Sequence, residues 1–308
     1  MNLYFAPLEG ITTYTFRNTH AEFFGGCDGY FAPFITPSDN EKIGMKCLRD
    51  INPDVNKTNV TVQVLTNRAD SFLKFEDKIQ GLGYDSVNIN LGCPSGTVVK
   101  KNRGSGFLRD VEGLDQFLED VFSKSRLKIS VKTRTGFSSG EEMSRLIEIY
   151  NKYQMTSLII HPRARADFYN GEPDMKVFEK AYGESKNKVC YNGNVFSAKH
   201  CKELSESFPV LEGVMFGRGA VMNPAIFREV KGGRTLETRE LVEFTDILAE
   251  RYLKVLGSEV YTIHKLKEVW MYMMWNYPEE KKILKAVKKS NRLPDLLAAI
   301  KRLPIIER

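Results

Sequence analysis

Eight short runs of apolar and β-branched residues recur along residues 1–220, and segments with helical periodicity separate most of them. The runs lie at 3–6, 30–35, 60–64, 86–90, 128–132, 157–161, 188–191 and 213–216. Several are almost continuously apolar, as strands of a parallel sheet are when helices cover its outer face. Strands that alternate with helices eight times predict an α/β fold of the (β/α)₈ TIM-barrel type, which typically takes about 250 residues.

The segments between the runs support this interpretation. Phe72, Phe75 and Ile79 would share one face of a helix that starts near Asn67. Residues 139–142, with the sequence Ser-Gly-Glu-Glu, carry a capping-box signal for the start of another helix. A doubly wound open sheet is the alternative fold, but no GxGxxG turn follows the first predicted strand. The barrel is therefore favoured.

The last quarter of the chain has helical patterns only, at 241–255, 259–275, 278–290 and 293–303. Pro278 and Pro294 mark breaks between these segments, and the pair Gly232-Gly233 separates them from the barrel pattern. We therefore predict a barrel domain in residues 1–232 and a small C-terminal helical domain in residues 233–308.

Residues suited to a functional site lie at or just beyond the carboxyl end of every predicted strand. The active sites of TIM-barrel enzymes lie at that end of the barrel. A barrel that only had to pack would not need polar groups there, so the sequence predicts an enzyme. In chain order the residues are Pro7 and Glu9, Thr36, Gln63, Asn90 and Cys93, Lys132 and Arg134, His161, Asn192 and Asn194, and Gly217 and Arg218.

Two glycine turns predict a site for a phosphorylated cofactor. Gly217-Arg218-Gly219 follows the eighth predicted strand and Asn192-Gly193-Asn194 follows the seventh. The loops at these two positions are the usual phosphate site of a TIM barrel. Glycine lets backbone N–H groups approach an anion closely, and an arginine can bind it through two hydrogen bonds.

Gln63, Asn90 and Lys132 would suit a flat ring such as the isoalloxazine of a flavin. Amide side chains match its carbonyl, ring-nitrogen and N–H groups, and a lysine beside it stabilises the anionic reduced ring. The alternative for Lys132 is an ion pair with a carboxylate of the barrel.

Cys93 lies on a loop directly after the fourth predicted strand, between Gly92 and Pro94. A thiol held on such a loop over a cofactor can give or take a proton. The other cysteines form no CxxC pair and no Cys/His cluster with zinc spacing, so we predict neither disulfides nor a metal site. We interpret them as small packing residues: Cys27, Cys47, Cys190 and Cys201.

Basic residues are unevenly placed in a chain of net charge +6. Residues 281–308 carry nine of them, including Lys285 and Lys289, against two acidic residues. This run is either a solvated helix face or a surface that binds a polyanion. Near the predicted active site, Arg163 and Arg165 favour an anionic or nucleotide ligand, whereas His161 beside them has a structural alternative.

Neither a membrane location nor secretion is predicted. No apolar run approaches the length that spans a bilayer. The first five residues, Met-Asn-Leu-Tyr-Phe, lack the basic and apolar zones of a signal peptide. The sequence therefore predicts a cytoplasmic protein.

Seven motifs in this order and spacing resemble the tRNA-dihydrouridine synthase family, and the resemblance runs through the whole chain. One departure is the motif after the sixth strand, which often reads His-Gly-Arg-Thr in the family and has Pro162 and Ala164 in place of the glycine and threonine here. The motifs are Ala-Pro-Leu-Glu-Gly-Ile-Thr at 6–12, Asn-Leu-Gly-Cys-Pro-Ser at 90–95, Arg-Gly-Ser-Gly at 103–106, Val-Lys-Thr-Arg at 131–134, His-Pro-Arg at 161–163, and the two glycine turns at 192–194 and 217–219.

The resemblance implies a reaction: FMN-dependent reduction of uridine to 5,6-dihydrouridine in tRNA, with NADPH as the reductant. The flavin would deliver hydride to C6 of the uracil, and Cys93 would protonate C5. The helical domain would bind tRNA, partly through Lys285 and Lys289, and Asn90, Arg134 and Arg163 would contact the substrate. The residues that would bind FMN are Pro7, Gln63, Lys132, His161, Asn192, Asn194, Gly217 and Arg218.

Two other functions remain as alternatives. One is a small-molecule flavin ene-reductase or an enzyme similar to dihydroorotate dehydrogenase, which would not need the basic C-terminal segment. The other is a non-catalytic RNA-binding barrel that keeps a flavin for structure, against which Cys93 and Lys132 argue.

Overall fold

In the computed structural model, which describes residues 1–37 and 44–305, parallel strands close into a barrel. Each strand pairs with the next along the chain, and the last pairs with the first, so the predicted (β/α)₈ TIM barrel is confirmed. The strands in the described residues are β1 (Asn2–Phe5), β2 (Gly29–Phe31), β3 (Val60–Val64), β4 (Ser86–Leu91), β5 (Lys128–Gly136), β6 (Leu158–Ala164), β7 (Val189–Tyr191) and β8 (Gly213–Phe216).

β5 and β6 are longer than the sequence predicts, because they continue beyond Lys132 and His161. Their polar ends still pair: Arg134 lies opposite His161, and Gly136 lies opposite Ala164 after an irregularity in the register. These residues interrupt the apolar pattern, while the backbone pairing continues past one irregularity in the register. The two strands therefore carry polar side chains further towards the carboxyl end of the barrel than predicted.

The second strand is shorter than predicted. It ends at Phe31, two residues before Pro33, which has no N–H to donate to a neighbouring strand. Ile35 instead forms an isolated bridge with Val64, at the end of β3.

Helices lie between the strands and after the last of them, and no described helix is long and apolar enough to cross a membrane. The predicted capping box is present, and Ser139 and Glu142 form its reciprocal hydrogen bonds. Short 3₁₀ helices occur at Gly104–Arg109, Gly140–Glu142 and Met274–Asn276. The described α-helices are α1 (Tyr14–Phe23), α2 (Met45–Ile51), α3 (Ala69–Gly81), α4 (Gly96–Val99), α5 (Val111–Lys124), α6 (Met143–Tyr150), α7 (Met175–Glu184), α8 (Ala198–Ser207), α9 (Arg218–Met222), α10 (Ile226–Val230), α11 (Thr238–Leu256), α12 (Glu259–Met273), α13 (Lys281–Lys289) and α14 (Leu293–Ile300).

The helical C-terminal region, α11 to α14, shares a hydrophobic core with the barrel. Phe16 on α1 packs edge-to-face against Phe244 on α11, with ring centroids 5.8 Å apart. The Lys265 ammonium donates to the Gly10 carbonyl (2.7 Å), next to the loop that follows β1. The helical region therefore sits directly beside the carboxyl end of the barrel.

Candidate active site

A cavity of about 320 Å³ opens at the carboxyl ends of the strands. Its volume lies in the range of small-molecule sites, roughly 300–1,000 Å³. It is also at the end of the barrel where TIM-barrel active sites lie. Most of the residues predicted for the site line its wall: Pro7, Gln63, Asn90, Cys93, Lys132, Arg134, His161, Asn192, Gly217 and Arg218.

A line of hydrogen-bonded polar side chains runs along the inside of the barrel wall, over the neighbouring strands β3, β4 and β5. Asn90 Nδ2 donates to Gln63 Oε1 (2.7 Å), and Gln63 Nε2 donates to Asn88 Oδ1 (2.7 Å). Asn88 Nδ2 in turn donates to the Ser130 hydroxyl (2.9 Å). All four side chains are buried, and a buried polar group without a partner would cost roughly 1–3 kcal/mol. These bonds fix the amide orientations of Gln63 and Asn90 at the cavity wall.

The loop that carries Cys93 is held from both sides. The Cys93 N–H donates to Asn90 Oδ1 (2.9 Å), and its carbonyl accepts from the N–H (3.1 Å) and the hydroxyl (2.8 Å) of Ser105. Gly104 has a φ of +55°, and a Cβ added there would lie 2.9 Å from the Cys93 carbonyl oxygen. Burial raises the pKa of the Cys93 thiol, so the thiol is protonated at neutral pH.

Lys132 reaches the cavity from β5 as an unpaired cation. No hydrogen bond or ion pair joins its ammonium to any residue that the structure describes. The alternative considered for Lys132, an ion pair with a carboxylate of the barrel, is therefore not present among the described residues. Burial, and then the charge of Arg134, lower the pKa of Lys132 to about 8. Burial makes the positive charge of this ammonium energetically costly. The site therefore favours a ligand that brings a negative charge or several hydrogen-bond acceptors.

His161 is neutral and has a defined tautomer. Burial, and then the charge of Lys132, lower its pKa well below the ordinary value. Arg163 Nη1 lies 3.0 Å from His161 Nε2, and a guanidinium can only donate, so Nε2 is the acceptor. The proton of the neutral ring is therefore on Nδ1, and His161 can donate one hydrogen bond.

The two glycine turns meet at the far side of the cavity, as predicted from the strand order. The Asn192 amide donates to the Met215 carbonyl (2.8 Å), which ties the end of β7 to β8. Arg218 Nη2 donates to Asn194 Oδ1 (2.7 Å), and Asn194 Nδ2 donates to Glu172 (3.0 Å). Asn194 thus orients the guanidinium of Arg218 from behind the cavity wall.

The prediction missed two tyrosines of the wall, Tyr169 and Tyr272. The Tyr169 ring lies 4.8 Å from the guanidinium carbon of Arg218 and 5.4 Å from that of Arg134. Tyr272 comes from α12, so the helical region completes one side of the cavity. Neither residue stands in a strand-end position, and no local pattern in the sequence marks them.

Four predicted site residues do not lie on the cavity wall. Arg163 is only 2% exposed, and it donates to His161, Asn194 and the carbonyls of a nearby loop, so direct contact with a substrate is not supported. Asn194 lies behind Arg218. Lys285 and Lys289 are exposed on α13. Residues 306–308 of the basic segment, including Arg308, lie outside the described residues.

The fold and the polar cavity at the carboxyl ends of the strands define a TIM-barrel protein with the site architecture of an enzyme. The sequence model of the Dihydrouridine synthase (Dus) family matches residues 4–299. The chain therefore belongs to the dihydrouridine synthase family, as the motifs predicted.

Curated relatives match over most of their length. The tRNA-dihydrouridine(16) synthase of Escherichia coli (strain K12) is 26% identical over 324 aligned positions, which cover 99% of each chain. The tRNA-dihydrouridine synthase B of Pseudomonas putida is 27% identical over 259 positions, or 81% of this chain and 74% of the relative.

Solved structures of other barrels share the fold. The old yellow enzyme homologue from Zymomonas mobilis matches with a TM-score of 0.51 at 13% identity, over 76% of this chain and 90% of its own. Histamine dehydrogenase from Rhizobium sp. 4-9 matches with a TM-score of 0.53 at 10% identity, over 76% of this chain and 46% of its own. At these identities the likeness concerns the fold alone.

Proposed function

We propose that this protein reduces uridine to 5,6-dihydrouridine in tRNA, with FMN as its cofactor and NADPH as its reductant. The observation that carries the proposal is that a protonated thiol, Cys93, and an ammonium without a partner in the described residues, Lys132, line the same cavity of a Dus-family barrel. The relatives named above are tRNA-dihydrouridine synthases, which supports tRNA as the substrate. Such a substrate would place the enzyme in the cytoplasm.

The cavity residues fit FMN in their chemistry. The Lys132 ammonium, which has no partner among the described residues, can bind a carbonyl or ring nitrogen, and Arg218, held by Asn194, can bind a phosphate. Gln63 keeps one N–H and one lone pair beyond its bonds within the barrel. When bound, and reduced by NADPH, FMN supplies the hydride that is added to C6 of the uracil. We assign its binding to Pro7, Gln63, Lys132, His161, Asn192, Gly217 and Arg218, with Asn194 acting through Arg218.

In this proposal Cys93 is the catalytic acid that protonates C5 of the uracil. Its raised pKa keeps the proton on sulfur until the substrate takes it. The thiolate that remains is stabilised by the charges of Arg134 and Lys132, both of which act to lower the pKa of Cys93. Asn90 holds the loop through the Cys93 N–H, so it acts as a positioning residue as well as part of the wall.

The tRNA must present its target uracil outside the stacked bases, because the reacting carbons are otherwise out of reach. Arg134 lines the cavity and would contact the extruded base, while Arg163 would act indirectly by fixing His161. We propose that residues 1–232 form the FMN-binding catalytic domain and residues 233–308 the tRNA-binding domain. Lys285 and Lys289 are exposed on α13, and we assign phosphate contacts to them.

The test begins with the purified protein, which should be yellow and should release FMN on denaturation. With NADPH and unmodified tRNA it should then form dihydrouridine, and the modified position can be mapped in the product. Cys93→Ala should keep flavin and tRNA affinity but lose most of the turnover. Cys201→Ala, which truncates a buried thiol on α8, is the matched control and should remain active.

Three results would count against the proposal. A colourless protein that cannot be reconstituted with FMN contradicts the cofactor assignment. Full turnover in Cys93→Ala removes the thiol from the mechanism. Reduction of free pyrimidines or other small enones, with no activity on tRNA, would instead favour a small-molecule reductase.

A further inference from the structure

A second group of cations and aromatic rings lies at the same end of the barrel, beside the cavity. Arg165, at the start of the loop after β6, stacks between two rings: its guanidinium carbon is 4.9 Å from the Phe168 centroid and 5.5 Å from the Phe137 centroid. Arg109 covers Phe137 at 5.2 Å. Phe168, Arg165, Phe137 and Arg109 therefore form a continuous stack, which we call the rim stack.

The outer end of the rim stack faces solvent. Phe168 is 41% exposed and has a φ of +50°, a left-handed conformation that is rare for an aromatic residue. The Nε of Arg165 is buried without a hydrogen-bond partner in the described residues. The exposed Phe168 ring therefore offers an apolar face to a ligand, and the charged Arg165 guanidinium lies against it.

The rim stack lies among cations that form no ion pair within the described residues. Within the described residues, no carboxylate pairs with five cations here: Lys100, Lys101, Arg103, Arg109 and Arg165. Three acidic side chains near the rim stack keep their charge but bond to other groups. Glu142 accepts backbone N–H bonds from the loop at 137–139, Asp167 accepts the Ala164 N–H, and Glu112 pairs with Arg145.

The rim stack adjoins the cavity through its neighbours in the chain. Tyr169, which follows Phe168, lines the cavity and stacks on Arg134 and Arg218. On the other side, the segment with Lys100, Lys101 and Arg103 begins directly after the Cys93 loop, to which Ser105 ties it. The surface that carries the rim stack and these cations therefore adjoins the cavity.

We propose that the rim stack and the cations beside it bind RNA, namely nucleotides next to the uridine that enters the cavity. Exposed rings accept stacked bases of any sequence, and unpaired arginines and lysines bind the phosphates between them. The inference rests on the proposed function, because it assigns part of the tRNA contact to the barrel. It is independent of Lys285 and Lys289, which lie on α13.

The experiment measures the affinity of unmodified tRNA transcripts for the flavin-loaded full chain by fluorescence anisotropy, at several salt concentrations. Phe168→Leu removes the π-face and should weaken binding roughly five-fold or more, whereas Phe168→Tyr should bind like the wild type. Arg109→Gln with Arg165→Gln should lower the slope of log K against log salt by roughly 0.7–0.9 for each lost phosphate contact.

Controls separate this inference from the function on which it rests. Lys199→Gln, an exposed residue on α8, should change neither the affinity nor the slope. Flavin content and flavin reduction by NADPH should be the same in all variants, which shows that they fold. If the wild type binds tRNA and forms dihydrouridine but the rim-stack variants bind equally well, the inference is overturned. If the wild type does neither, the proposed function itself fails.

Discussion

Replacing Gly104 by alanine tests whether the position of the Cys93 loop sets the rate of the reaction. Gly104 has a φ of +55°, where an L-residue costs roughly 1–2 kcal/mol. The new Cβ would also lie 2.9 Å from the Cys93 carbonyl oxygen, 3.0 Å from a Val98 methyl and 3.1 Å from the Cys93 Cβ. The substitution therefore costs free energy in two ways, through the left-handed backbone and through the close contacts of the new Cβ.

Gly257→Ala is a matched control for the backbone cost. Gly257 ends α11 with a φ of +62°, and nothing lies within 4 Å of the position its Cβ would take. Both variants should lose roughly 1–2 kcal/mol of the free energy of unfolding from the left-handed backbone. Any further loss in Gly104→Ala then measures the contact with Cys93.

The contact should move the thiol. Non-bonded carbon atoms sit at about 3.5–4.0 Å, so Cys93 must shift by roughly 0.5 Å to make room. Since a misplacement of about 1 Å can cost roughly 100-fold in rate, we expect turnover to fall by roughly ten-fold in Gly104→Ala and to stay unchanged in Gly257→Ala. Single-turnover formation of dihydrouridine, urea unfolding and tRNA affinity are the measurements. Equal turnover in both variants would refute the idea that the loop must hold the thiol in one place.

Three further predictions concern charge. FMN affinity, followed by flavin fluorescence, should weaken as the pH rises through about 8, where the apoprotein loses the charge on Lys132, and Lys132→Met should abolish that dependence. Lys285→Glu with Lys289→Glu should weaken tRNA binding and reduce its salt dependence; unchanged affinity would mean that α13 only presents a solvated face. His20 is buried, and burial lowers its pKa to about 4 from 6.5, so it contributes stability above pH 6.5 that is lost as the pH falls towards 4. The free energy of unfolding should fall by roughly 1.4 kcal/mol per pH unit, up to about 3 kcal/mol. If a His20→Gln variant unfolds with the same acid dependence, a group other than His20 causes it.

Topology explains why the sequence located so much of the cavity. Parallel strands that close into a barrel bring their carboxyl ends together, so polar residues at strand ends become neighbours however far apart they are in the chain. Gln63, Cys93, Lys132 and Arg218 were predicted in this way, and all four line the cavity. The strand bounds were less accurate in β5 and β6, because the apolar pattern stops where side chains face the cavity, although backbone pairing continues.

The parts that could not be predicted depend on long-range packing. Arg163 is buried because the carbonyls of Asn170 and Gly171 fold back over it, and no local pattern encodes that turn. Tyr169 reaches the cavity by the same turn, and Tyr272 reaches it only because α12 packs beside the barrel. Such contacts are set by tertiary structure rather than by periodicity.

The hydrogen-bonded polar side chains on the inner face of β3, β4 and β5 limit how this protein can be stabilised. Gln63, Asn88, Asn90 and Ser130 bond to one another, and Asn90 also bonds to the Cys93 N–H. Apolar replacements there would leave buried amides unsatisfied and at the same time release the thiol loop. The thermal stability and the reactivity of the protein therefore depend on the same few hydrogen bonds. Substitutions that stabilise the protein without changing its reactivity would have to lie on the outer helices instead.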